Sequence, residues 1–254
     1  MPKINRIDLE SYLNEYLKVN EIRDYVPNGL QVEGKDEIKK VVIAVSASLE
    51  LFEKAIEKDA DAILVHHGML WDNEIKVIKG WKKTRIETLI KSNLSLFAYH
   101  LPLDMHEEVG NNFVAAKDLG AVALNGFGDY RGKKLGCIGE LKKEICFKEF
   151  QEKIKTYYKS NLKVYNFGKE KISKIAVVSG GASDIYYQVT KDDLDVFITG
   201  EVGEPIMNMA KEVGVNFIAA GHYNTEKVGV IALGRRLKDK FNIDVEFVDI
   251  PNDV

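Results

Sequence analysis

The sequence predicts an α/β fold built from two related units with mixed, largely parallel sheets. Short apolar runs, rich in β-branched residues, alternate with stretches of helical periodicity. The same strand pattern recurs 134 residues further along the chain. A length of 254 residues with 45% hydrophobic residues is enough for one large domain or two modest ones. Together these observations favour two strand–helix–strand units over a single sheet.

In the first half, each segment is assigned from its periodicity and its ends. Residues 8–17 carry apolar side chains at helical spacing, and the Pro-Asn-Gly segment at 26–31 predicts a turn. Continuous apolar runs predict strands that are buried on both faces. The resulting strands are 41–45, 62–65 and 94–99, and the helices that follow them are 49–58, 84–91 and 111–119, the last closed by Gly120.

The second half repeats this order. Residues 40–46 match 174–180, and 62–65 fall on 196–199 with the same offset, each pair of strands flanking a helix. The third strand of the repeat is predicted at 215–220. We therefore divide the chain into units 1–126 and 127–254, the second with an extra hairpin and helix within 127–170, and with a C-terminal segment able to pack back on the first unit. The alternative is a chance similarity between two generic βαβ units.

Composition excludes several classes of protein. The chain has 36 basic and 39 acidic residues, a net charge of −3 that does not indicate a dedicated nucleic-acid-binding protein. Two cysteines, Cys137 and Cys146, are too few for a disulfide scaffold or a thiolate zinc site. No apolar run approaches the ~18 residues of a membrane span, and we do not expect the first residues to act as a signal peptide, because no apolar segment follows their positive charge. We expect a cytoplasmic protein that does not insert into membranes.

Residues that bind metal ions collect at the predicted strand ends. In open parallel sheets the carboxyl ends of the strands share one edge, where ligands bind, so we expect a metal site there, between the two units. The chain has five histidines, and four of them lie at strand ends. The other one, His106, lies among acidic residues and is expected on the surface. The candidate clusters are His66-His67 after the second strand, His100 to Asp104 after the third, and His222 to Glu226 after the last.

The spacing within these clusters indicates two ions. Adjacent His66 and His67 point to opposite faces of an extended chain, so each is better placed to serve its own ion. Glu226, just past His222, could bridge the two ions together with a water molecule, and that activated water would be the nucleophile of a hydrolase. Alternatively, Asn224-Thr225 caps a helix and Glu226 is only a first-turn acid.

The ligand types restrict the metal and suggest a further role. Imidazole and carboxylate without thiolate suit zinc, iron, manganese or nickel. His100 is then a candidate for proton transfer beside the ions, because imidazole changes charge near neutral pH. Glu226 is the second candidate catalytic residue.

Two other motifs carry less information. Residues 179–183, Ser-Gly-Gly-Ala-Ser, follow a strand and could bind a phosphate, but they match no nucleotide fingerprint and also fit a tight structural turn. Glu201, in Thr-Gly-Glu, falls in the repeat where His67 lies in the first unit, so it is expected to support the site or to bind substrate.

These motifs, taken in order, resemble the GTP cyclohydrolase I type 2 homolog family (Nif-three-like proteins), in its short form without an inserted domain. The resemblance implies a dinuclear centre in which His67 and Asp104 hold one ion, His66 and His222 the other, and Glu226 both. It also implies two interlocked α/β domains assembled into a toroidal homohexamer. The segments that carry the resemblance are 27–34, His66-His67-Gly68, 100–104, 198–201 and 221–226.

Two functions are compatible with these observations. The first is a metal-dependent hydrolase, similar to a GTP cyclohydrolase, that acts on a nucleotide or another phosphorylated heterocycle. The second is a non-catalytic metal-handling or regulatory protein that binds a protein or nucleic-acid partner. A metal site at an open sheet edge favours the enzyme, and the lack of a clear phosphate loop weakens the nucleotide assignment.

Overall fold

The computed structural model describes residues 2–74, 76–190 and 193–254. Eight helices and thirteen strands are defined within these ranges, and two short 3-10 helices supplement them. None of these helices combines the length and the apolarity that crossing a membrane requires. In chain order the elements are β1 (Ile4–Asn5), α1 (Arg6–Tyr16), the 3-10 helix Val19–Glu21, β2 (Gly29–Val32), β3 (Glu37–Ile38), β4 (Lys40–Ser46), α2 (Leu49–Glu57), β5 (Ala62–His67), α3 (Trp81–Lys91), β6 (Ser95–Ala98), α4 (Leu101–Asp104), α5 (Asn111–Asp118), β7 (Ala121–Tyr130), β8 (Lys133–Cys146), α6 (Phe147–Tyr158), β9 (Lys163–Tyr165), β10 (Lys171–Val178), the 3-10 helix Ser183–Gln188, β11 (Val196–Thr199), α7 (Ile206–Val213), β12 (Asn216–Ala219), α8 (His222–Phe241) and β13 (Asp244–Phe247).

The chain forms two compact units. Unit 1 contains the chain up to Leu103 together with Val230–Pro251, and unit 2 contains Asp104–Gly229 with the last three residues. The chain therefore passes from unit 2 back to unit 1 within α8. The boundary at residues 126 and 127 rests on internal sequence similarity, a different criterion from compactness, and it stays a prediction.

Unit 1 has a five-stranded sheet in the order β13-β4-β5-β6-β2. The first four strands run parallel, and β2 joins the edge antiparallel. The central strands are buried because their β-branched side chains pack on both faces of the sheet, as their unbroken apolar sequences predict. The edge strand β13 was not predicted, because residues 244–247 alternate polar and apolar side chains over only four positions.

Unit 2 has a six-stranded sheet in the order β7-β8-β10-β11-β12-β9. Its centre, β10-β11-β12, is parallel, whereas the long β7–β8 hairpin and the short β9 add antiparallel strands at the two sides. Both units are therefore α/β with mixed sheets, and the predicted fold class is confirmed.

The two units also share a buried hydrogen-bond network at the start of their second strands. In unit 1, Asp61 accepts bonds from the amides of Lys39 and Lys40 and from the ammonium group of Lys35. In unit 2, Asp195 accepts bonds from the amides of Ser173 and Lys174 and from the ammonium group of Lys169. Each of these donors lies 134 residues after its counterpart in unit 1. The strand registers obey the same offset, since Val41 pairs with Ala62 and residue 175 pairs with residue 196. A shared register and a shared buried carboxylate support two related units better than chance similarity does.

One predicted helix is wrong. The connection from β10 to β11 contains a six-residue 3-10 helix, Ser183–Gln188, where the repeat predicted an α-helix. The helix stops because Val189 is already extended and the amide of Thr190 bonds to the side chain of Asp193.

The duplicated carboxylates yield a stability prediction. Burial alone would raise the pKa of Asp61 and of Asp195, but the lysine and amide donors outweigh it and lower both pKa values. A lowered pKa contributes stability above the unfolded-state pKa, and that contribution disappears as the pH falls through the folded-state pKa. We expect Asp61→Asn and Asp195→Asn each to lower the free energy of unfolding by about 1–2 kcal/mol at pH 7, and by less as the solution becomes acidic.

Urea unfolding at pH 7 and at pH 4 measures this effect. Asp239→Asn, on an exposed position of α8, is the control and should change little. Two carboxylate variants as stable as the wild type at pH 7 would contradict the assignment.

Candidate metal centre

Three histidines of unit 1 converge at the ends of β5 and β6. The ring centroids of His66 and His67 lie 4.6 Å apart, and those of His66 and His100 lie 5.1 Å apart. Each ring offers a nitrogen within 4.8 Å of a nitrogen on the other two. An ideal strand would send His66 and His67 to opposite faces, but β5 ends at His67 and the two rings turn toward one another. The three imidazoles therefore form one cluster.

Hydrogen bonds fix all three rings through the same atom, Nδ1. In His66 it lies 2.9 Å from the carbonyl oxygen of Tyr99, in His67 3.0 Å from the hydroxyl of Ser46, and in His100 3.1 Å from a carboxylate oxygen of Asp24. A carbonyl only accepts, so Nδ1 of His66 carries the proton and Nε2 carries the lone pair of the neutral ring.

Asp24, which the sequence analysis missed, organises the segment over His100. Its carboxylate also accepts bonds from the amide of Leu101 and from the side chain of Asn28, whose oxygen in turn accepts the amide of His100. Burial would raise the pKa of Asp24, but hydrogen bonds from His100, Asn28 and Leu101 outweigh it, so the pKa is lowered. Asp24 is thus held as a carboxylate beside an imidazole.

The Pro-Asn-Gly segment continues this support toward the two adjacent histidines. The side-chain oxygen of Gln31 accepts the amide of Met69 at 2.8 Å, which fixes the turn after His67. A β-carbon at Gly68 would lie 2.3 Å from that same side-chain oxygen, so a larger residue there would displace the side chain of Gln31. Of the turn predicted at residues 26–31, residues 29–31 instead belong to β2, and this segment positions residues of the cluster.

Two aromatic rings that are only partly buried border the imidazoles. The ring of Trp71 lies 5.7 Å from those of His67 and His100, and Tyr25 meets His100 edge-on at 5.1 Å. The indole nitrogen of Trp71 donates to the carbonyl of Gly68 at 3.3 Å, which holds the ring next to the segment that follows His67. Unit 1 thus places aromatic surface beside its histidines.

Unit 2 supplies a histidine and two buried carboxylates. Helix α8 begins at His222, so His222 and Glu226 lie four residues apart on one face, with Nε2 3.2 Å from a Glu226 oxygen. The alternative that Asn224-Thr225 caps this helix is wrong, because both residues lie inside its first turn. The hydroxyl of Thr225 instead donates back to the carbonyls of Gly221 and His222.

A second carboxylate contacts the other side of the His222 ring. Nδ1 of His222 donates to the carboxylate of Glu201, while Nε2 of His222 faces the buried Glu226. Burial would lower the pKa of His222, but the two carboxylates, Glu226 foremost, raise it to about 9. In the metal-free protein His222 is therefore charged at neutral pH.

Asp104 is buried and oriented by two side chains. Its Oδ1 accepts hydrogen bonds from the amide of Asn111 and from the hydroxyl of Ser179, both at 2.9 Å. Asn111 also accepts the amide of Gly229 in α8, which links Asp104 to the helix that carries Glu226. Asp104 and Glu226 offer ligand oxygens within 4.8 Å of each other. Asn111 was not singled out in the sequence, although an asparagine pair opening an apolar helix is an unusual sign.

The glycine-rich segment after β10 packs directly against His222 and Glu226. Gly180 has a φ of +68°, and a β-carbon there would lie 2.2 Å from an oxygen of Glu226 and 3.2 Å from Nε2 of His222. Its amide donates to Thr225, and its carbonyl accepts the amides of Gly200 and Glu201. These bonds are those of a structural turn, and they keep the space beside His222 and Glu226 narrow.

The remaining predicted residues lie outside these clusters. His106 is partly buried, and its Nδ1 accepts the amides of Glu108 and Val109, so it stabilises a loop. Cys137 is buried in the core of unit 2, where burial raises the pKa of its thiol to about 12, and Cys146 ends β8.

Fold and clusters together define an α/β protein whose histidines and carboxylates could hold metal ions. A sequence profile of the family described as Duf34/NIF3 (NGG1p interacting factor 3) matches residues 4–253. The chain belongs to this family.

Relatives match over their full length. The GTP cyclohydrolase 1 type 2 homologs of Haemophilus influenzae and Archaeoglobus fulgidus are 42% and 41% identical to the chain; the alignments cover 98% and 99% of this chain and 99% and 100% of those proteins. A solved structure titled protein ybgI, of unknown function, superposes with a TM-score of 0.93 at 38% identity, covering 99% of this chain and 100% of that one.

The raised pKa of His222 predicts how the stability of the metal-free protein depends on pH. A folded-state pKa of about 9, above the ordinary value of 6.5, contributes stability that is complete below pH 6.5 and is lost as the pH rises through about 9. We expect the stability difference between wild type and His222→Gln, measured by urea unfolding in the presence of a chelator, to shrink between pH 6.5 and 10. His106→Gln is the control. A difference that stays constant over this range would contradict the assignment.

Proposed function

We propose that the chain is a metal-dependent hydrolase with a dinuclear centre. His67 and Asp104 bind one ion, His66 and His222 bind the other, and Glu226 is shared. Zinc, iron, manganese and nickel all suit this set of imidazole and carboxylate ligands.

The observation that carries the proposal is the common orientation of the imidazoles. His66, His67, His100 and His222 all engage Nδ1 in a hydrogen bond, to a carbonyl, a hydroxyl, Asp24 and Glu201 respectively. A metal-ligating histidine commonly uses one nitrogen for the ion and donates the other to such a partner. In each ring Nε2 is then the atom that would bind an ion. The narrow space beside Gly180 is more typical of side chains packed around an ion than of a packed core.

The residues divide the work of hydrolysis as follows. Two divalent ions would supply Lewis acidity and activate water near neutral pH. The buried carboxylates of Asp104 and Glu226 balance part of the positive charge. His100 is not among the five proposed ligands; Asp24 keeps its Nδ1 protonated, so its Nε2 can accept or deliver a proton beside the centre.

We propose a nucleotide or another phosphorylated heterocycle as the substrate class. The names of the curated relatives support this choice, and the rings of Trp71 and Tyr25 offer an aromatic surface next to the histidines. We also propose a homo-oligomer, with the toroidal hexamer that the family resemblance implies as the specific form.

Metal content tests the dinuclear centre. Elemental analysis of the purified protein should give about two ions per chain. Glu226→Ala should lose both, because it removes the shared ligand, whereas His222→Ala should keep one. Glu212→Ala, at an exposed position, is the control and should keep both. One ion or none in the carefully handled wild type would contradict the dinuclear centre.

Turnover tests the enzymatic proposal separately. Metal-loaded protein is screened against nucleotides and phosphoesters, with release of product followed by chromatography. We expect hydrolysis of at least one member of these classes, and its loss in Glu226→Ala. Turnover that persists in Glu226→Ala would reveal a contaminant, and a protein with two ions but no turnover would favour a metal-handling or regulatory role.

A further inference from the structure

The internal repeat pairs a histidine of unit 1 with a glutamate of unit 2. The register of β4 with β5 and that of β10 with β11 follow one offset of 134 residues. The Asp61 and Asp195 networks follow the same offset at the other end of these strands. Position 67 of the first repeat therefore corresponds to position 201 of the second, where His67 is replaced by Glu201.

Glu201 differs from the buried carboxylates of its unit. Its side chain is 44% exposed, whereas that of Glu226 is 4% exposed. Glu201 accepts the Nδ1 proton of His222, and Glu226 lies against Nε2 of the same ring. The two nitrogens of an imidazole point in diverging directions, so a carboxylate on Nδ1 does not share an ion held at Nε2.

The glycine-rich turn lies beside this contact. A β-carbon at Gly181 would lie 3.6 Å from the Glu201 oxygen and 3.6 Å from Cε1 of His222, so the backbone packs beside both groups. The carbonyl of Gly180 accepts the amide of Glu201, which fixes where its side chain leaves the chain. Glu201 is therefore positioned by the same turn that lies against Glu226.

We propose that Glu201 is the positioning residue of His222. It holds the proton on Nδ1 and the orientation of the ring, so that Nε2 is the metal-binding atom. At this position of the repeat, the first unit has His67, which binds an ion. The second unit has Glu201, which supports His222 as a ligand. This inference rests on the proposed function, because it assumes that His222 binds an ion.

Two substitutions of Glu201 separate its role from a general structural one. Glu201→Ala removes the acceptor, whereas Glu201→Gln keeps an oxygen that can accept the Nδ1 proton. Glu204→Ala, on an exposed position three residues away, is the matched control. Zinc affinity is measured by competition with a chelator, and the visible spectrum of the Co²⁺-loaded protein reports the geometry around the ion.

We expect Glu201→Ala to lower the affinity for one of the two zinc ions 10- to 100-fold, to leave the affinity for the other unchanged and to alter the Co²⁺ bands. Glu201→Gln should stay within about threefold of the wild-type affinity, with the wild-type Co²⁺ bands. Wild-type affinity and bands in Glu201→Ala would overturn the proposal, and so would loss of both ions in both variants, because that result indicates a direct ligand or a disrupted unit. A wild-type chain that binds no zinc at all would refute the dinuclear centre itself, and the two failures are thereby distinguished.

Discussion

The arrangement of the proposed centre depends on hydrogen bonds to the Nδ1 atoms of four imidazoles. An imidazole with a fixed Nδ1 partner has a defined ring orientation and, when neutral, a defined nitrogen for coordination. The partners come from different kinds of structure. They are a carbonyl next to His100, a strand hydroxyl, and carboxylates on an irregular segment and on a turn. A ligand set that is oriented before an ion arrives loses less conformational entropy on binding.

The α/β fold brings these partners together because strand ends and helix starts lie close in each unit. In unit 1, His66 and His67 end β5, and the carbonyl that orients His66 lies just beyond the neighbouring strand β6. In unit 2, α8 starts directly after β12, so His222 and Glu226 share a helix face. The two Asp-centred networks lie at the opposite ends of the strands, away from the histidines and carboxylates of the candidate site.

The sequence predicted the helices and strands well where a periodic pattern of apolar residues extends over several positions. The buried strands β4, β5, β10 and β11 and the helices α1, α2 and α5 carry such a signal. The alternative start of α8 after Asn224 and Thr225 is wrong because these two residues only resemble a cap in sequence, and the backbone shows that the helix begins earlier.

The ligand-type residues could be found by their clustering, but their supporting residues could not. Asp24 lies in a segment without periodicity and meets His100 across 76 positions of sequence, and Asn111 reaches Gly229 across 118. Contacts of that separation are created by the tertiary fold and leave no local pattern. The convergence of His66 and His67 was also missed, because strict alternation applies within a strand and not at its last residue.

The central claim is that the imidazoles coordinate through Nε2 in a dinuclear centre. A crystal structure of zinc-loaded protein, with anomalous data collected at the zinc edge, tests it most directly. The account predicts two anomalous peaks per chain, bonded to Nε2 of His66, His67 and His222, with carboxylate oxygens of Asp104 and Glu226 completing the ligands. A single peak, or zinc bonded to Nδ1 of these histidines, would contradict it.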